Sequence, residues 1–257
     1  MSLTLTLRKP PPARVLAAPL DPDGLRGLDA GAVGALELRC GGEAVPVGDL
    51  FEVSGSAAED GTLVLIGDLR RFDGVGAGMA SGTLVVHGNV GSWAGAEMSG
   101  GVLQIFGDAG ARLGAAYPGA RAGMTGGEIV VSGDAGEEAG AGMRRGLVAL
   151  GGRAGAGAGL RMLAGTVIAL GGIGEEAGLG NKRGSLVSGR PVEPLPAYAF
   201  AARLQPPALR MQLLRLRALG LTVDERFLRG VWARWSGDRT ELTRGELLLF
   251  DGENGSR

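Results

Sequence analysis

The chain has 257 residues, of which 50 are glycine and 12 are proline, and its formal net charge is −1. Glycine stands at nearly three times its usual share of about 7%, yet collagen is excluded because the glycines do not recur at every third position and proline is scarce. Disorder is excluded as well, since 45% of the residues are hydrophobic and the net charge is close to zero.

The rarest residue types narrow the chemistry further. A single cysteine, Cys40, excludes an intramolecular disulfide, and with a single histidine, His87, a zinc site or a Cys–His catalytic pair within this chain is not expected. No apolar run approaches the roughly 20 residues of a membrane-spanning helix, and the N-terminus lacks the pattern of a secretory signal. We therefore expect a soluble, cytoplasmic protein that binds no membrane.

Residues 1–60 are predicted to form an N-terminal β cap. Leu3, Leu5 and Leu7 alternate with polar residues as they would in a strand with one buried face. The stretch Gly48–Val53 is expected to lead into the segment that follows. A cap of this kind would cover the edge strand that a repetitive sheet leaves unpaired.

Residues 61–190 form a glycine-rich repeat, with 35 of the 50 glycines lying between Gly61 and Gly184. Similar segments of 19 to 26 residues open at Gly61, Gly82, Gly101, Gly127, Gly146, Gly165 and Gly184. In each full segment the second and fourth residues after the opening glycine are apolar, which predicts one short strand per repeat. Because glycine turns rather than helices follow, and parallel crossovers are right-handed, we predict a mainly β fold: a right-handed parallel β-helix solenoid of about six to seven rungs.

Two columns of side chains recur along the predicted solenoid. Polar residues at four equivalent corners are interpreted as turn-forming, with a calcium site as the alternative: Asp68, Asn89, Asp108 and Asp134. Five methionines at another equivalent position are interpreted as core residues: Met79, Met98, Met124, Met143 and Met162.

Two insertions interrupt the repeat. One adds about two residues near Arg70 and Arg71, and the other adds about seven residues, 115–121, which include Tyr117 and Pro118. Insertions in repeat proteins map to loops and often to a binding face, whereas a simple surface bulge is the alternative interpretation.

The outward positions of the predicted strands are too apolar for a face exposed to solvent. The C-terminal helices could cover part of this stripe, and we assign it to an interface with a partner subunit. Its members are Val64, Ile66, Val85, Phe106, Val130, Ile168, Leu170 and Val187.

Basic residues recur at corners of three successive predicted rungs, where stacking would bring them within about 5–10 Å of one another. They are Arg144, Arg145, Arg161, Lys182 and Arg183. Such a strip would suit an extended polyanion, and ordinary surface charge is the competing interpretation. Nucleic acid is not expected, because the net charge is near zero and aromatic residues are few.

No catalytic residue and no metal site is predicted. Glu137–Glu138 and Glu175–Glu176 occupy matching corners, with Arg112 in the same column, and could in principle do acid–base work. Adjacent glutamates at turns are more often solvated. The glycine clusters lack the helix of a nucleotide-binding fingerprint, so they are interpreted as repeat corners.

Residues 191–257 change in character after a proline-rich connector. Leucines at helical spacing predict a helix from Leu209 to Leu219 that ends at Gly220. A second helix is predicted from Asp224, as its N-cap, to Trp235, and the tail after Gly237 is predicted to add a final strand.

The sequence resembles the C subunit of formylmethanofuran dehydrogenase. The resemblance rests on the glycine-rich repeat, on Pro46-Val-Gly-Asp-Leu-Phe-Glu-Val, and on Gly237-Asp with Arg244-Gly-Glu-Leu-Leu near the end. It covers almost the whole chain and is strongest to the C subunit of the formyltransferase/hydrolase complexes of methylotrophs. The C-terminal domain of glutamate synthase has the same repeat but different flanking segments.

The resemblance implies a non-catalytic scaffold subunit in a cytoplasmic hetero-oligomer of one-carbon metabolism, with hydrolase-like A, B and formyltransferase D subunits as partners. Such complexes move a formyl group from formyl-tetrahydromethanopterin to a methanofuran-like carrier and hydrolyse it to formate, with any metal on other subunits. No cofactor is implied to be covalently bound here, and the polyglutamyl tail of the carrier becomes a candidate ligand for the basic corners. The alternatives are the C subunit of a molybdenum or tungsten formylmethanofuran dehydrogenase, a glutamate-synthase-like module and an autonomous β-helix enzyme.

Overall fold

The computed structural model of the chain describes residues 2–56 and 61–252. This part of the chain is mainly β and is built around one twelve-stranded sheet that mixes parallel and antiparallel pairs. The described residues also contain two smaller sheets and four helices. None of these four helices is long and apolar enough to cross a lipid bilayer.

The N-terminal segment closes one end of the large sheet. Its elements are β1 (Leu3–Leu7), β2 (Val15–Leu16), α1 (Ala30–Ala35), β3 (Glu37–Cys40), β4 (Glu43–Pro46), α2 (Val47–Leu50) and β5 (Phe51–Ser54). Strand β1 pairs antiparallel with β5 and parallel with the first repeat strand, and the alternating Leu3 and Leu5 are buried as the pattern predicts. The stretch Gly48–Val53 does not run straight into the repeat, because it forms the end of α2 and the edge strand β5.

The repeat contributes one main strand per segment. Its strands are β6 (Thr62–Ile66), β7 (Phe72–Asp73), β8 (Thr83–His87), β9 (Val102–Ile105), β10 (Glu128–Val131), β11 (Leu147–Leu150), β12 (Arg153–Ala154), β13 (Thr166–Ala169), β14 (Gly172–Ile173) and β15 (Ser185–Ser188). Successive main strands pair in parallel and in register: β6, β8, β9, β10, β11, β13 and β15. A second series of parallel bridges joins Leu69, Val90, Ala109, Ala135 and Ala154 of successive repeats.

In-register pairing stacks equivalent residues on one another and creates the core. The five methionines of the repeat are all buried, with at most 1% of each side chain exposed, so their interpretation as core residues is confirmed. Asn181 takes the next place in this column and is also buried. The backbone of Gly184 satisfies its amide group there. Nδ2 donates to the Gly184 carbonyl at 2.9 Å, and Oδ1 accepts from the Gly184 N–H at 2.8 Å.

The glycine corners are required by this close stacking. Gly88 has a φ of 145°, and a Cβ atom there would lie 1.9 Å from the carbonyl oxygen of Gly67 in the preceding repeat. No side chain fits at that distance, and the backbone conformation is one that glycine adopts without steric cost.

The C-terminal segment adds both helices and strands: β16 (Ala199–Leu204), α3 (Pro207–Ala218), α4 (Glu225–Arg229), β17 (Val231–Gly237) and β18 (Gly245–Gly252). Strand β18 confirms the predicted final strand and pairs in parallel with β15, while β17 and β16 extend the sheet antiparallel. Helix α3 confirms the first predicted helix, and Gly220 follows it with a φ of 92°.

The second predicted helix is wrong beyond Arg229. Asp224 does cap α4, since its side chain accepts a hydrogen bond from the Arg226 N–H at 2.9 Å. Residues 231–237 are strand instead, because β17 pairs along its length with β18. Its Trp232 is buried against Phe227 and Phe250.

Candidate functional site

The outer face of the large sheet is half covered by the chain itself. Helix α3 lies on it, and Leu209, Leu213 and Leu216 of this helix are buried in a second hydrophobic cluster with outward residues of the repeat. Four of the residues assigned to a partner interface belong to this cluster: Val130, Ile168, Leu170 and Val187. For these four the alternative of cover by the C-terminal helices holds and the partner interface does not, because at most 5% of each side chain is exposed and they pack in one cluster with α3.

The other half of this face remains open. We call the open sheet face the surface formed by Val64, Ile66, Val85, His87 and Phe106. The strand register places Val64 beside Val85 and Ile66 beside His87. Ile66 is 37% exposed and Phe106 42% exposed, and the Phe106 ring stacks on His87 with 5.1 Å between ring centroids.

The open sheet face begins where α3 ends. Gln104 of β9 donates through Nε2 to the carbonyl oxygen of Leu219 at 3.0 Å, which ties the end of the helix to the sheet. Gly220 and Phe106 lie next to each other at this boundary. The result is a largely apolar surface bounded on one side by a helix, and exposed apolar patches are typical of protein–protein interfaces.

The five basic residues do not occupy one column. Backbone hydrogen bonds from Leu163 to Met143 and from Lys182 to Met162 place Arg144, Leu163 and Lys182 in register. Arg161 is instead in register with Gly180, so the expectation of equivalent corners is wrong. Lys182 lies 3.6 Å from Glu241, whereas the four arginines are exposed: Arg144, Arg145, Arg161 and Arg183.

One cluster was identified from the sequence only in part, since Arg112 and Glu138 were placed in one column but Trp93 was not included. Trp93, Arg112 and Glu138 occupy the same position in three successive repeats, all with positive φ, where Gly74 and Gly157 stand in the flanking repeats. The signal for Trp93 was its position in this column, one repeat after Gly74 and one repeat before Arg112. The seven-residue insertion joins this cluster, because Tyr117 stacks on Trp93 with 4.8 Å between ring centroids.

This cluster also contains Glu138, one of the paired glutamates. Arg112 donates through Nε to Oε2 of Glu138 at 2.8 Å, and this hydrogen bond raises the pKa of Arg112 above its ordinary value. Glu138 is therefore engaged in an ion pair. Glu137, Glu175 and Glu176 are exposed, so the interpretation of the glutamates as surface residues is the one that the structure favours.

The polar corner column bonds to backbone, as interpreted from the sequence. Asn89 accepts a hydrogen bond from the Asp108 N–H at 2.8 Å, Asp108 accepts from the Asp134 N–H at 3.0 Å, and Asp134 accepts from the Arg153 N–H at 2.7 Å. Each side chain thus links its repeat to the next. Across residues 2–56 and 61–252, no three His, Cys, Asp or Glu side chains gather into a group that could hold a metal ion.

Comparison with known proteins shows which sequences and structures this chain is similar to. No protein-family model matches the chain. Over 70 residues, or 27% of the chain, it is 34% identical to the C subunit of molybdenum-containing formylmethanofuran dehydrogenase 1 of Methanothermobacter marburgensis, of which the match covers 18%. Over 88 residues, or 34% of the chain, it is 35% identical to the C subunit of the formyltransferase/hydrolase complex Fhc of Methylorubrum extorquens, of which the match covers 32%. These sequence matches span between about a fifth and a third of the curated relatives.

The structural similarity extends over the full chain. A chain in the crystal structure of the formyltransferase/hydrolase complex FhcABCD from Methylorubrum extorquens, in complex with methylofuran, superposes with a TM-score of 0.82 and 34% sequence identity. The match covers 96% of this chain and 98% of that chain. The chain therefore belongs to the family that unites the C subunits of formylmethanofuran dehydrogenase and of the formyltransferase/hydrolase complex.

Proposed function

We propose that this chain is the C subunit of a formyltransferase/hydrolase complex, in which it holds other subunits in place and supplies no reacting group. The observation that carries the proposal is the match over 96% of the chain to a chain of the crystallised FhcABCD complex. Identity of 34% over that length supports a shared place in a shared assembly more strongly than a shared fold alone would.

The reaction that we propose for the assembly follows from this membership. A formyl group passes from formyl-tetrahydromethanopterin to a methanofuran-like carrier and is then hydrolysed to formate in the cytoplasm. The transferase and hydrolase centres belong to D and A subunits, and the set includes a B subunit. An assembly of the molybdenum or tungsten dehydrogenase type is the alternative that the archaeal relatives support.

We infer that the repeat winds as a right-handed parallel β-helix. Seven main strands pair in parallel in sequence order, and the second series of bridges runs alongside them at Leu69, Val90 and their equivalents. A chain that returns to the same sheet after each segment of 19 to 26 residues must make a parallel crossover, and such crossovers are overwhelmingly right-handed.

The scaffold role is supported by the open sheet face. It is largely apolar and is exposed at Ile66 and Phe106, while α3 covers the equivalent surface further along the sheet. A partner on the open sheet face would cover the part of the outer face of the sheet that α3 leaves exposed. Burial of this surface would favour association through the hydrophobic effect.

The decisive experiment for this role compares the chain alone with the complete assembly. We expect the purified chain to show neither formyl transfer nor hydrolysis, and we expect both activities from the assembly that contains it. Metal analysis of the same assembly separates the two reaction types, since stoichiometric molybdenum or tungsten would favour the dehydrogenase. Activity of the chain by itself would contradict the scaffold role and support an autonomous enzyme.

We propose, second, that exposed arginines of the repeat bind the polyglutamyl tail of the carrier. Arg144, Arg145 and Arg183 are exposed and form no ion pair within the described residues, so their charge is available to an anionic chain. The crystallised relative is a complex with methylofuran. Replacing these three arginines by serine should release the carrier from the assembly at moderate salt, because exposed charge pairs are screened by ions. Arg121→Ser, at an exposed arginine in the insertion, is the matched control, and equal retention by both variants would refute the assignment.

A further inference from the structure

Helix α3 has two apolar faces, and the sheet uses one of them. The inner face consists of Leu209, Leu213 and Leu216, which are buried on the sheet. The opposite side of the helix is apolar as well, although it faces outward. We call the outer stripe the set of Pro207, Met211, Leu214 and Ala218, all of which are exposed. Met211 is 72% exposed and Leu214 is 38% exposed.

The spacing of the outer stripe is that of a helix-pairing seam. Its members are separated by four, three and four residues, which is the alternation that places apolar side chains at the two central positions of a heptad. A surface helix with one packed face would normally carry polar residues here. The outer stripe therefore has the pattern of a surface that packs against a second helix.

The flanks of the outer stripe carry one sign of charge. Arg210 and Arg217 lie on one side of it and Arg215 on the other, at the heptad positions that border the seam. Arg215 pairs with Glu128 at 2.9 Å and Arg217 pairs with Glu225 at 2.8 Å, yet the arginine side chains remain 63% and 38% exposed. Arg210 forms no ion pair with any residue in the described part of the chain.

The charge decides between the partners that such a seam could take. A second copy of α3 would bring arginine against arginine along both borders, and like charges at these positions destabilise a helix pair. A helix with an apolar seam bordered by Asp or Glu would instead satisfy the arginines as it covers Met211 and Leu214. We propose that α3 docks an acidic amphipathic helix of another subunit through the outer stripe.

The inference rests on the proposed function for the source of this helix, since the partner is taken to be a subunit of the same assembly. A helix of twelve residues is about 18 Å long, so the seam alone is smaller than a stable interface requires. The open sheet face adjoins the end of α3 at Gln104 and Leu219, and a partner that covers both surfaces would reach a larger buried area.

The test measures binding of the purified chain to the remaining subunits of the purified complex. The double variant Met211→Ser, Leu214→Ser should bind at least about tenfold more weakly, because it removes the two largest apolar side chains of the seam. Leu16→Ser is the matched control, since Leu16 is 58% exposed on the distant strand β2, and it should leave binding unchanged. Arg210→Glu changes one exposed side chain and leaves the buried face of α3 intact. It should also weaken binding, so it tests the docking proposal even if the double variant does not fold.

A photo-crosslinker at position 211 in the assembled complex identifies what covers the seam. We expect the crosslinked peptide to come from another subunit and to have apolar residues at heptad spacing bordered by Asp or Glu. Wild-type chain that binds no subunit would overturn the proposed function. Wild-type chain that binds while the α3 variants bind equally well, or a crosslink to a second copy or a basic segment, would overturn the docking of an acidic helix and leave the proposed function standing.

Discussion

Arg112 lies over the ring of Trp93, with 4.8 Å between its guanidinium carbon and the ring centroid, although the two residues belong to different repeats. The same guanidinium donates to Glu138 in the next repeat, and Tyr117 stacks on Trp93 from the insertion. Together these four side chains link successive repeats on the surface of the protein. They also tie the insertion 115–121 to the repeat surface.

Trp93→Ala should destabilise the protein by about 1–3 kcal/mol, because it removes an aromatic pair and a cation–π contact. Trp93→Gly removes the same contacts but suits the φ of 66° at this position, so it should be less destabilising than Trp93→Ala by about 1 kcal/mol. Urea unfolding of both variants measures the difference. A glycine variant no more stable than the alanine variant would show that backbone strain at Trp93 contributes nothing.

Asp134→Ala should cost about 0.5–1.5 kcal/mol of unfolding free energy, because it leaves the Arg153 N–H without its side-chain acceptor. Asp134→Asn keeps an oxygen acceptor and should lie close to wild type. We expect a calcium chelator to leave the Tm of the wild-type protein unchanged. A drop in Tm on chelation, or equal losses in both variants, would instead indicate that the carboxylate binds a cation.

Acid stability should depend on Asp238, which is fully buried. Burial alone would raise its pKa, but hydrogen bonds from Thr240 and from the Gly180 N–H outweigh burial and hold the pKa below the ordinary 3.8. A carboxyl with a lower pKa in the folded state stabilises the fold fully above pH 3.8, and this stabilisation is lost as the pH falls through the folded pKa.

The stability gap between wild type and Asp238→Asn should therefore be largest near neutral pH and shrink below pH 3.8. Urea unfolding at several pH values between neutrality and about 2.5 measures the gap. Other carboxyl groups titrate in both proteins, so their contributions cancel in the comparison. A gap that widens on acidification would mean that burial, rather than the hydrogen bonds, dominates the pKa of Asp238.

Phe106→Ser should weaken assembly by about tenfold or more, since the ring is the largest exposed side chain of the open sheet face. Leu242→Ser removes a side chain that is 52% exposed in the turn before β18, away from this face, and serves as the control. Sedimentation of the mixed subunits at several concentrations gives both affinities. Equal losses in the two variants would show that the open sheet face has no special part in assembly.

The sequence predicted the features that depend on spacing along one strand or helix. Period-two alternation located the repeat strands, the recurrence of methionine identified core positions, and leucine spacing with Gly220 delimited α3. These predictions succeeded because stacking of identical repeats imposes the same environment on every copy of a residue.

The failures concern contacts between segments that lie far apart in the chain. The alternation of β10, β13 and β15 shows that Val130, Ile168 and Val187 point outward, but it does not specify that these are the residues of the stripe that α3 covers. Arg161 was misplaced because equal spacing along the chain does not reveal which corner residues stack. Strand β17 was mistaken for helix because its pairing with β18 is a contact that the local sequence does not specify. The Trp93–Tyr117 stack depends on where an insertion folds, which spacing does not specify.

The most direct test of the central claim is the composition of the assembly purified through a tag on this chain. Native mass spectrometry should show the chain in fixed stoichiometry with A-, B- and D-type subunits of a formyltransferase/hydrolase complex. A stable monomer that copurifies with none of these subunits would contradict the account.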